Sequence, residues 1–476
     1  MQSTQNLTFI EPELTRLLNA HPFIPHVVTR IGEASGVAYL VGGAVRDLVL
    51  GLEVYDMDIE VHGLSLDVLS DILSQEGPVS YVGKSFGVLK LHGTLTDWSL
   101  PRSDTSGRKP HVIINPDLDI VEALRRRDLT MNAMAINLVS KEFVDPFHGL
   151  DDLRKKLLRS PDIHFFCEDP LRFYRVMQFI GRFDMYPDEI LTEQCKRMNI
   201  EDVSVERIEC EVEKLLLKSR RPSLGFRWLH AIGRLHEILP ELAHTEDIAQ
   251  DPKWHPEGNV FEHLMQALDA AAQIDKGTTA LNLILRYAAL CHDLGKVSTS
   301  QVIDGRIRSP GHAEAGVPYT HALLKRITRN VKLIATVKAL VKAHMLPSQF
   351  VKQHSSLAAY RRLALRLAPL TNADMLISLA LADRRGRNPQ GHEPLTLTPP
   401  FVKTFIEQAQ EARALHEPEK PILQGHDIME LVAPGPEMGK LLKYAFNLQI
   451  EQSIKSKELL KKMVVEEILK KENRMD

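Results

Sequence analysis

The segment from Tyr39 to Glu60 constrains the fold more than any other part of the chain. It reads YLVGGAVRDLVLGLEVYDMDIE. A short apolar run ends at Gly42 and Gly43, apolar residues at helical spacing follow, and a second run carries two aspartates. This pattern predicts a strand, a glycine turn, a helix and a second strand. The segment therefore indicates a domain that combines sheet and helix.

Asp56 and Asp58 are two positions apart on the second predicted strand. Side chains alternate faces along a strand, so both carboxylates point to the same side. Like charges this close repel unless a cation lies between them, and Mg²⁺ prefers carboxylate and phosphate oxygens. The pair predicts a Mg²⁺ site suited to two-metal nucleotidyl transfer. The alternative is an ordinary pair of solvated strand carboxylates.

The order GGAVRD, LG and DMD resembles the signature of the class II tRNA nucleotidyltransferase and bacterial poly(A) polymerase family. The resemblance implies an α+β fold with a palm-like nucleotidyltransferase head, followed by an all-α neck, body and HD domain. It also implies that Asp56 and Asp58 hold Mg²⁺ and that Gly42, Gly43 and Arg46 hold a nucleoside triphosphate.

Three further strands are predicted after this segment, and Asp97 opens the last of them. Asp97 supplies a third catalytic carboxylate if that strand lies beside the aspartate pair; otherwise it is an ordinary strand-end residue. The next stretch, SLPRSDTSGRKPH from Ser99 to His111, is polar and basic. It predicts a mobile loop able to close over phosphates, with Arg102 as a nucleotide contact.

The arginine-rich stretch LRRRDLTMNAMA, from Leu124 to Ala135, is predicted to be helical. On composition alone it is either a solvated basic turn or a phosphate-binding element. It matches the family's Arg-Arg-Asp-x-Thr-x-Asn-Ala motif. By that resemblance the nucleotide contacts are Arg126, Arg127, Asp128 and Asn132.

The stretch EDPLRFYR begins at Glu168 and places Asp169 and Arg172 three residues apart, on one face of a predicted helix. A carboxylate beside a guanidinium can bind a Watson–Crick edge, or can simply form a salt bridge. The resemblance makes Glu168, Asp169 and Arg172 the base-selecting template, with Arg175 nearby. The residues from Met177 to Leu239 are predicted to be helical throughout.

A second constellation of histidines and aspartates follows. A His-Asp pair after a nearly all-apolar stretch is costly to bury unless something binds it. In chain order, the set His263, His292-Asp293 and Asp383 resembles the HD phosphohydrolase superfamily. The resemblance implies that these residues bind a divalent metal (Mg, Mn, Ni, Fe or Co). His312 and His344 are further ligands or substrate contacts. A second pair, His426-Asp427, is interpreted as a helix cap outside this site.

Length sets the domain organisation, because single cores rarely exceed about 300 residues and this chain has 476. The expected segments are an N-terminal helical extension (1–37), the nucleotidyltransferase head (38–165), a helical neck and RNA-binding region (166–240), the HD domain (241–420) and a helical tail (421–476).

The formal charge of −3 means that RNA contacts must come from local basic patches. No signal peptide or membrane-spanning stretch is recognised, and four widely spaced cysteines suit reduced thiols, so a cytoplasmic protein is expected. The resemblance implies addition of CCA to the tRNA 3′ end from CTP and ATP. Addition of A or CC alone, poly(A) synthesis, and HD phosphohydrolysis as the main activity are the alternatives, and the oligomeric state is left open.

Overall fold

The computed structural model describes residues 10–81, 87–104 and 112–472. The chain forms two compact units, Met1–Arg207 and Ile208–Asp476. A mixed sheet with helices in the first unit and a mostly helical second unit confirm the predicted fold class. Residues 105–111 of the predicted mobile loop lie outside the described residues.

The described strands of the first unit form one large sheet and two small ones. They are β1 Val37–Val41, β2 Met57–His62, β3 Val79–Tyr81, β4 Val88–Leu91, β5 Thr96–Ser99, β6 Arg102–Asp104, β7 Val112–Ile114, β8 Ala135–Asn137, β9 Phe143–Val144, β10 Leu157–Leu158 and β11 Tyr186–Pro187. The large sheet has the order β3-β4-β5-β2-β1-β8-β9, while β6 pairs with β7 and β10 with β11.

Strand β2 lies near the middle of the large sheet, antiparallel to β1 and parallel to β5. Its Asp58 pairs with Val41 on one side and with Asp97 on the other. The strand of Asp97 therefore lies beside the acidic strand, which is one of the two arrangements that the sequence left open. The register also places Asp58 opposite the last residue of β1, directly before the glycine turn.

Nine α-helices lie wholly within the described part of the first unit: α1 Glu11–Ala20, α2 Phe23–Glu33, α3 Gly43–Val49, α4 Leu66–Ser74, α5 Ile120–Arg125, α6 Gly149–Lys155, α7 Ile163–Glu168, α8 Leu171–Phe183 and α9 Glu189–Arg197. A 3-10 helix spans Thr130–Asn132. Helix α5 packs Ile120 and Leu124 against Val41, Ala133 and Ala135. Full burial of a valine, leucine or isoleucine side chain stabilises the folded state by about 1.5–3 kcal/mol. This packing anchors the end of β1.

Two helical predictions in this unit are wrong. The arginine cluster is not one helix, because α5 ends at Arg125 and Asp128 Oδ1 accepts hydrogen bonds from its neighbour's backbone N–H and from Asn132. Such local side-chain bonds compete with helical ones. The region from Met177 is not helical throughout, since Asp184 adopts φ 52° at the end of α8 and β11 follows.

Helix α10 (Val205–Lys218) begins in the first unit, which includes Arg207, and continues into the second. The described part of the second unit contains fourteen further α-helices, a 3-10 helix at Gly425–Asp427 and one small hairpin. The elements are α10 Val205–Lys218, α11 Ser223–Ala231, α12 Leu235–Ile238, α13 Pro240–Ala243, α14 Val260–Ala272, α15 Thr279–Cys291, α16 Lys296–Thr299, β12 Gln301–Ile303, β13 Arg306–Arg308, α17 His312–Ile327, α18 Val331–Ala343, α19 Leu346–Lys352, α20 Leu357–Leu367, α21 Ala373–Arg385, α22 Pro400–Glu411, α23 Pro436–Gln452 and α24 Lys457–Glu472.

Helices α14 and α15 are buried along most of their length. The Asn259 side chain accepts the backbone N–H of Glu262 at 2.9 Å and fixes the start of α14. Asp427 accepts the backbone N–H of Gln424 and pairs with Lys457, as a capping residue would. None of the described helices combines the length and the apolarity needed to cross a membrane.

Candidate functional site

Three carboxylates meet at the end of β2 in the first unit. Asp58 is exposed to solvent and lies beside Asp97 in the sheet register. Partial desolvation of the carboxylate raises the pKa of Asp58. The charge of Arg127 lowers this pKa, whereas the negative charges of Asp97 and Asp56 raise it further. Neighbouring carboxylates repel one another, and hard oxygen donors of this kind fit a divalent cation, which would relieve the repulsion.

The glycine turn brings a cation next to these carboxylates. Gly42 has φ 72° and ψ −133°, a conformation that side chains other than glycine's strongly disfavour. A Cβ at Gly42 would lie 2.5 Å from Arg127 Nη1 and 3.5 Å from Asp58 Oδ2. The absence of a side chain therefore lets Arg127 and Asp58 approach the backbone together.

The family resemblance implies nucleotide addition at this turn, and replacing Gly42 by Ala is expected to reduce that activity by about tenfold to a hundredfold, because the turn and Arg127 must both move. Steady-state kcat/KM with CTP and ATP measures the effect. Gly51→Ala is the matched control: Gly51 also has positive φ, at 65°, but a Cβ there would meet no neighbouring atom within 4 Å. Equal losses in both variants would contradict a role for the contact with Arg127.

Arg46 is almost fully buried, with 4% of its surface exposed. Its Nη1 donates to Asn132 Oδ1 at 2.6 Å, its Nε donates to Asp47 Oδ1 at 2.8 Å, and its guanidinium lies 4.8 Å from the Phe183 ring centroid. Arg46 thus braces the helix after the glycine turn from inside the unit. Gly43 packs against this group, since a Cβ there would lie 3.4 Å from Arg46 Nη2.

Asp128 extends this network to α8. Asn132 donates to Asp128 Oδ1 at 3.0 Å, and Arg175 Nε donates to Asp128 Oδ2 at 2.6 Å. Burial alone would raise the pKa of Asp128, but the charge of Arg175, the hydrogen bond from Asn132 and the charge of Arg172 lower it to about 2. The structure therefore brings together four of the predicted nucleotide-binding residues, Arg46, Asp128, Asn132 and Arg175, in one internal network.

Replacing Asp128 by Asn is expected to cost about 2 kcal/mol of unfolding free energy at pH 7. Because the folded pKa of Asp128 is depressed to about 2, its contribution is fully present above the unfolded value near 4 and is lost as the pH falls towards 2. Urea unfolding of wild type and variant between pH 7 and pH 2.5 measures this narrowing difference. Asp184→Asn, which removes an exposed pair with Lys156, is the control and should change little at any pH.

The predicted base-selecting residues lie at the junction of α7 and α8. The sequence predicts Asp169 and Arg172 on one helix, and this prediction is wrong. Asp169 caps the end of α7 with an extended backbone, because Pro170 follows and disfavours helical geometry at the residue before it. Asp169 pairs with Arg207 Nη2 at 2.9 Å. Arg172 donates from Nη1 to Phe165 O and from Nη2 to Arg126 O.

Glu168, Arg126 and Arg102 are the remaining predicted nucleotide contacts of this unit. Glu168 lies 3.5 Å from Arg126 Nη2, and the Arg126 guanidinium lies 4.2 Å from the Phe165 ring centroid. Arg102 is exposed in β6 and its charge helps to lower the pKa of Glu60, against the raising effect of burial. Sequence reasoning missed Arg207, for which the only signal was its place in a helical motif.

The ends of five helices in the second unit bring the predicted metal ligands together. His263 lies in α14, His292 and Asp293 follow α15, and Asp383 lies in the last turn of α21. His263 Nε2 lies 3.1 Å from His292 Nε2, 3.5 Å from Asp293 Oδ2 and 3.2 Å from Asp383 Oδ1. Donor atoms at right angles around an ion about 2.1 Å away lie about 3 Å apart, so this set fits a bound transition metal.

His312 and His344 form a second group on the other oxygen of Asp293. Their Nε2 atoms lie 3.1 Å apart, and lie 3.3 Å and 3.7 Å from Asp293 Oδ1. Two imidazoles and a carboxylate oxygen again converge on one point. Asp293 therefore lies between two ligand groups, one on each of its oxygens.

Close backbone contacts fix this geometry. A Cβ at Gly295 would lie 2.1 Å from His312 O, and a Cβ at Gly386 would lie 2.6 Å from Ala267 N. Glycine at these positions lets the turn after α15 touch α17 and lets the end of α21 touch α14. Larger residues would separate the helices that carry the ligands.

Several charged residues around this cluster were not predicted. Lys296 Nζ lies 2.6 Å from Asp293 Oδ2, Arg387 Nη2 lies 2.7 Å from Asp383 Oδ1, and Glu257 Oε1 lies 2.7 Å from His263 Nδ1. Burial alone would lower the pKa of His263, but hydrogen bonds with Asp383 and Glu257 raise it to about 9. The one available signal was the adjacency of Glu257 and Lys296 to the recognised motifs.

A cavity of about 840 Å³ opens onto the cluster. Its wall includes Asp293, His312, His344 and Asp383, and also the cationic residues Lys296, Arg308, Arg384 and Arg387. Apolar and aromatic side chains, including Trp254 and Phe401, complete the lining. Such a cavity suits an anionic ligand with an apolar part.

Comparisons with known proteins match both units. Residues 38–159 match the family of the poly A polymerase head domain, and residues 260–384 match the HD domain. A multifunctional CCA protein of Pasteurella multocida is 34% identical over 364 residues, which cover 73% of this chain and 84% of that protein.

Two solved structures have a similar fold. One, a CCA-adding enzyme in complex with CTP, has a TM-score of 0.62 and 19% identity, and the likeness covers 98% of each chain. The other, a Thermotoga maritima CCA-adding enzyme complexed with tRNA, has a TM-score of 0.61 and 18% identity, covering 98% of this chain and all of that one. The extent of the Pasteurella match shows that this chain belongs to the multifunctional CCA protein family of nucleotidyltransferases.

Proposed function

We propose that this protein adds CCA to the 3′ end of tRNA, using CTP and ATP and no nucleic-acid template. One observation carries the proposal: Asp58 and Asp97 are register partners at the strand end where the Gly42 turn and Arg127 meet. This is the arrangement that metal-dependent nucleotidyl transfer requires. Membership of the multifunctional CCA protein family supports it further.

Asp56, Asp58 and Asp97 would hold Mg²⁺, which lowers the pKa of the attacking hydroxyl and neutralises charge on the triphosphate. Arg127 lies beside these carboxylates and supplies positive charge towards the same point. Gly42 and Gly43 let the guanidinium groups of Arg127 and Arg46 lie close to the main chain, which places positive charge at the turn where a phosphate would bind. Arg46, Asn132, Asp128 and Arg175 hold the turn in position through the buried network.

Base selection is assigned to Glu168, Asp169 and Arg172, with Arg102 and Arg126 at the edge of the nucleotide. Asp169 is held by Arg207 in the free chain, and both groups are partly exposed, with side-chain exposures of 36% and 49%. Exposed ion pairs are worth about 0–1 kcal/mol, so a base can displace Arg207 from Asp169 at little cost. Arg172 also donates to the backbone oxygens of Phe165 and Arg126, which holds its guanidinium at the α7–α8 junction beside Asp169.

The second unit favours an additional hydrolytic activity. His263, His292, Asp293 and Asp383 would hold one divalent metal (Mg, Mn, Ni, Fe or Co), and His312 and His344 with the other Asp293 oxygen would hold a second. Metals so placed polarise a phosphate ester and activate water. The cationic cavity beside the cluster supports a phosphate-ester substrate.

The proposal also includes a cytoplasmic location and the division of the chain into five segments, 1–37, 38–165, 166–240, 241–420 and 421–476.

Primer extension on three tRNA transcripts tests the main activity. The transcripts end at the discriminator base, after C and after CC, and are incubated with CTP, ATP or both and Mg²⁺. The expected result is addition of CCA to the first transcript, with a stop after A. Addition of A alone to the CC-ended transcript, of CC alone, or of a long A tail would replace the proposal with one of the narrower activities.

A further inference from the structure

Glu257 is a buried carboxylate directly behind one of the proposed metal ligands. Its side chain has no solvent-accessible surface. Glu257 Oε1 accepts from His263 Nδ1 at 2.7 Å, while the Nε2 atom of the same ring faces His292, Asp293 and Asp383. The ring of His263 is thus held between a carboxylate on one edge and the ligand cluster on the other.

The same oxygen of Glu257 also contacts a second histidine. His255 Nδ1 donates to Glu257 Oε1 at 2.9 Å, and His255 Nε2 lies 3.4 Å from Lys296 Nζ. Lys296 in turn donates to Gln250 Oε1 at 2.7 Å and lies 2.6 Å from Asp293 Oδ2. Glu257 is therefore linked directly to His263 and, through His255 and Lys296, to Asp293.

The geometry points to Glu257 as a positioning residue of the hydrolytic centre, which orients His263 through Nδ1 and, through His255, holds Lys296 against Asp293. A carboxylate that accepts from Nδ1 fixes the tautomer in which Nε2 is free to bind a metal, and raises its basicity. The inference rests on the metal centre proposed above. Glu257 contacts Nδ1 of His263, whereas Nε2 faces the ligand cluster, so its effect is on metal binding and not on substrate contact.

The test compares Glu257→Gln with Glu262→Gln in the full-length protein. Glu262 precedes His263 in α14, and its carboxylate contacts Arg227, Gln266 and His392 instead of the cluster. Each protein also carries Asp58→Ala, which removes a ligand of the metal site proposed in the first unit. Each is stripped with a chelator, and Mn²⁺ and Ni²⁺ binding is measured by calorimetry. An unfolding transition measured in the presence of chelator checks that each metal-free variant is folded. If Glu257→Gln does not fold, Glu257→Asp replaces it, since it keeps the charge but withdraws the oxygen from His263.

The expected result is at least about tenfold weaker Mn²⁺ binding in Glu257→Gln and a change of less than about twofold in Glu262→Gln. Saturating Mn²⁺ should then restore most hydrolysis of bis(p-nitrophenyl) phosphate. Unchanged binding in Glu257→Gln, or equal weakening in both variants, overturns the inference while leaving the metal centre in place. Absence of Mn²⁺ and Ni²⁺ binding in the wild type overturns the metal centre itself, and the inference with it.

Discussion

Replacing Asp58 by Ala is expected to lower CCA addition by about a thousandfold or more, equivalent to about 4 kcal/mol of transition-state stabilisation. Asp58 is the register partner of Asp97, and the negative charges of both Asp97 and Asp56 act on its carboxylate. Its removal leaves Asp56 and Asp97 without the donor that connects them. Single-turnover addition of CTP to the transcript ending at the discriminator base measures the loss at saturating Mg²⁺.

The variant should remain folded, because Asp58 is exposed and its repulsion with Asp97 and Asp56 disappears with it. Asp71→Asn is the matched control, since Asp71 is an exposed carboxylate on α4 and should leave addition unchanged. Hydrolysis by the second unit and tRNA binding should persist in Asp58→Ala. Retention of CCA addition within about tenfold of wild type would contradict the assignment of Asp58 as a metal ligand.

The sequence predicts the head well because its signals are local. Glycines end β1, alternating residues place Asp58 on β2, and the pattern of strands predicts a mixed sheet. Sequence alone cannot show that Asp97 is the register partner of Asp58, because register depends on pairing between distant segments. The burial of Arg46 could not be predicted either, since its partners Asn132 and Phe183 belong to other elements.

The second unit shows the same division between local and distant information. The types of the candidate ligands could be selected from the sequence because a buried His-Asp pair needs partners. Their separation into two groups on opposite oxygens of Asp293 follows only from helix packing, which Gly295 and Gly386 permit by close contact. Glu257 was overlooked because nothing in a Pro-Glu-Gly sequence indicates that the carboxylate is enclosed beneath a histidine.

Replacing Asp293 by Asn is expected to abolish hydrolysis of bis(p-nitrophenyl) phosphate, with a loss of about a thousandfold or more, and to remove bound metal from both ligand groups. Oδ2 of Asp293 faces His263 and His292, and Oδ1 faces His312 and His344. An amide is neutral and offers one acceptor in place of two, so the second group loses its only carboxylate and the first keeps only Asp383. His344→Ala should instead remove only the metal of its own group.

Metal content by elemental analysis, measured beside the hydrolysis rate, separates these outcomes. Beyond the metal held by the acidic group of the first unit, which Asp58→Ala measures, the wild type should bind two equivalents of Mn²⁺, His344→Ala one and Asp293→Asn none. Asp427→Asn is the matched control, because His426-Asp427 is the same dipeptide but Asp427 caps a turn and pairs with Lys457. CCA addition should be normal in all of these variants. One equivalent of metal in Asp293→Asn would mean that the histidines of one group bind it without the shared carboxylate, and the bridging role of Asp293 would be wrong.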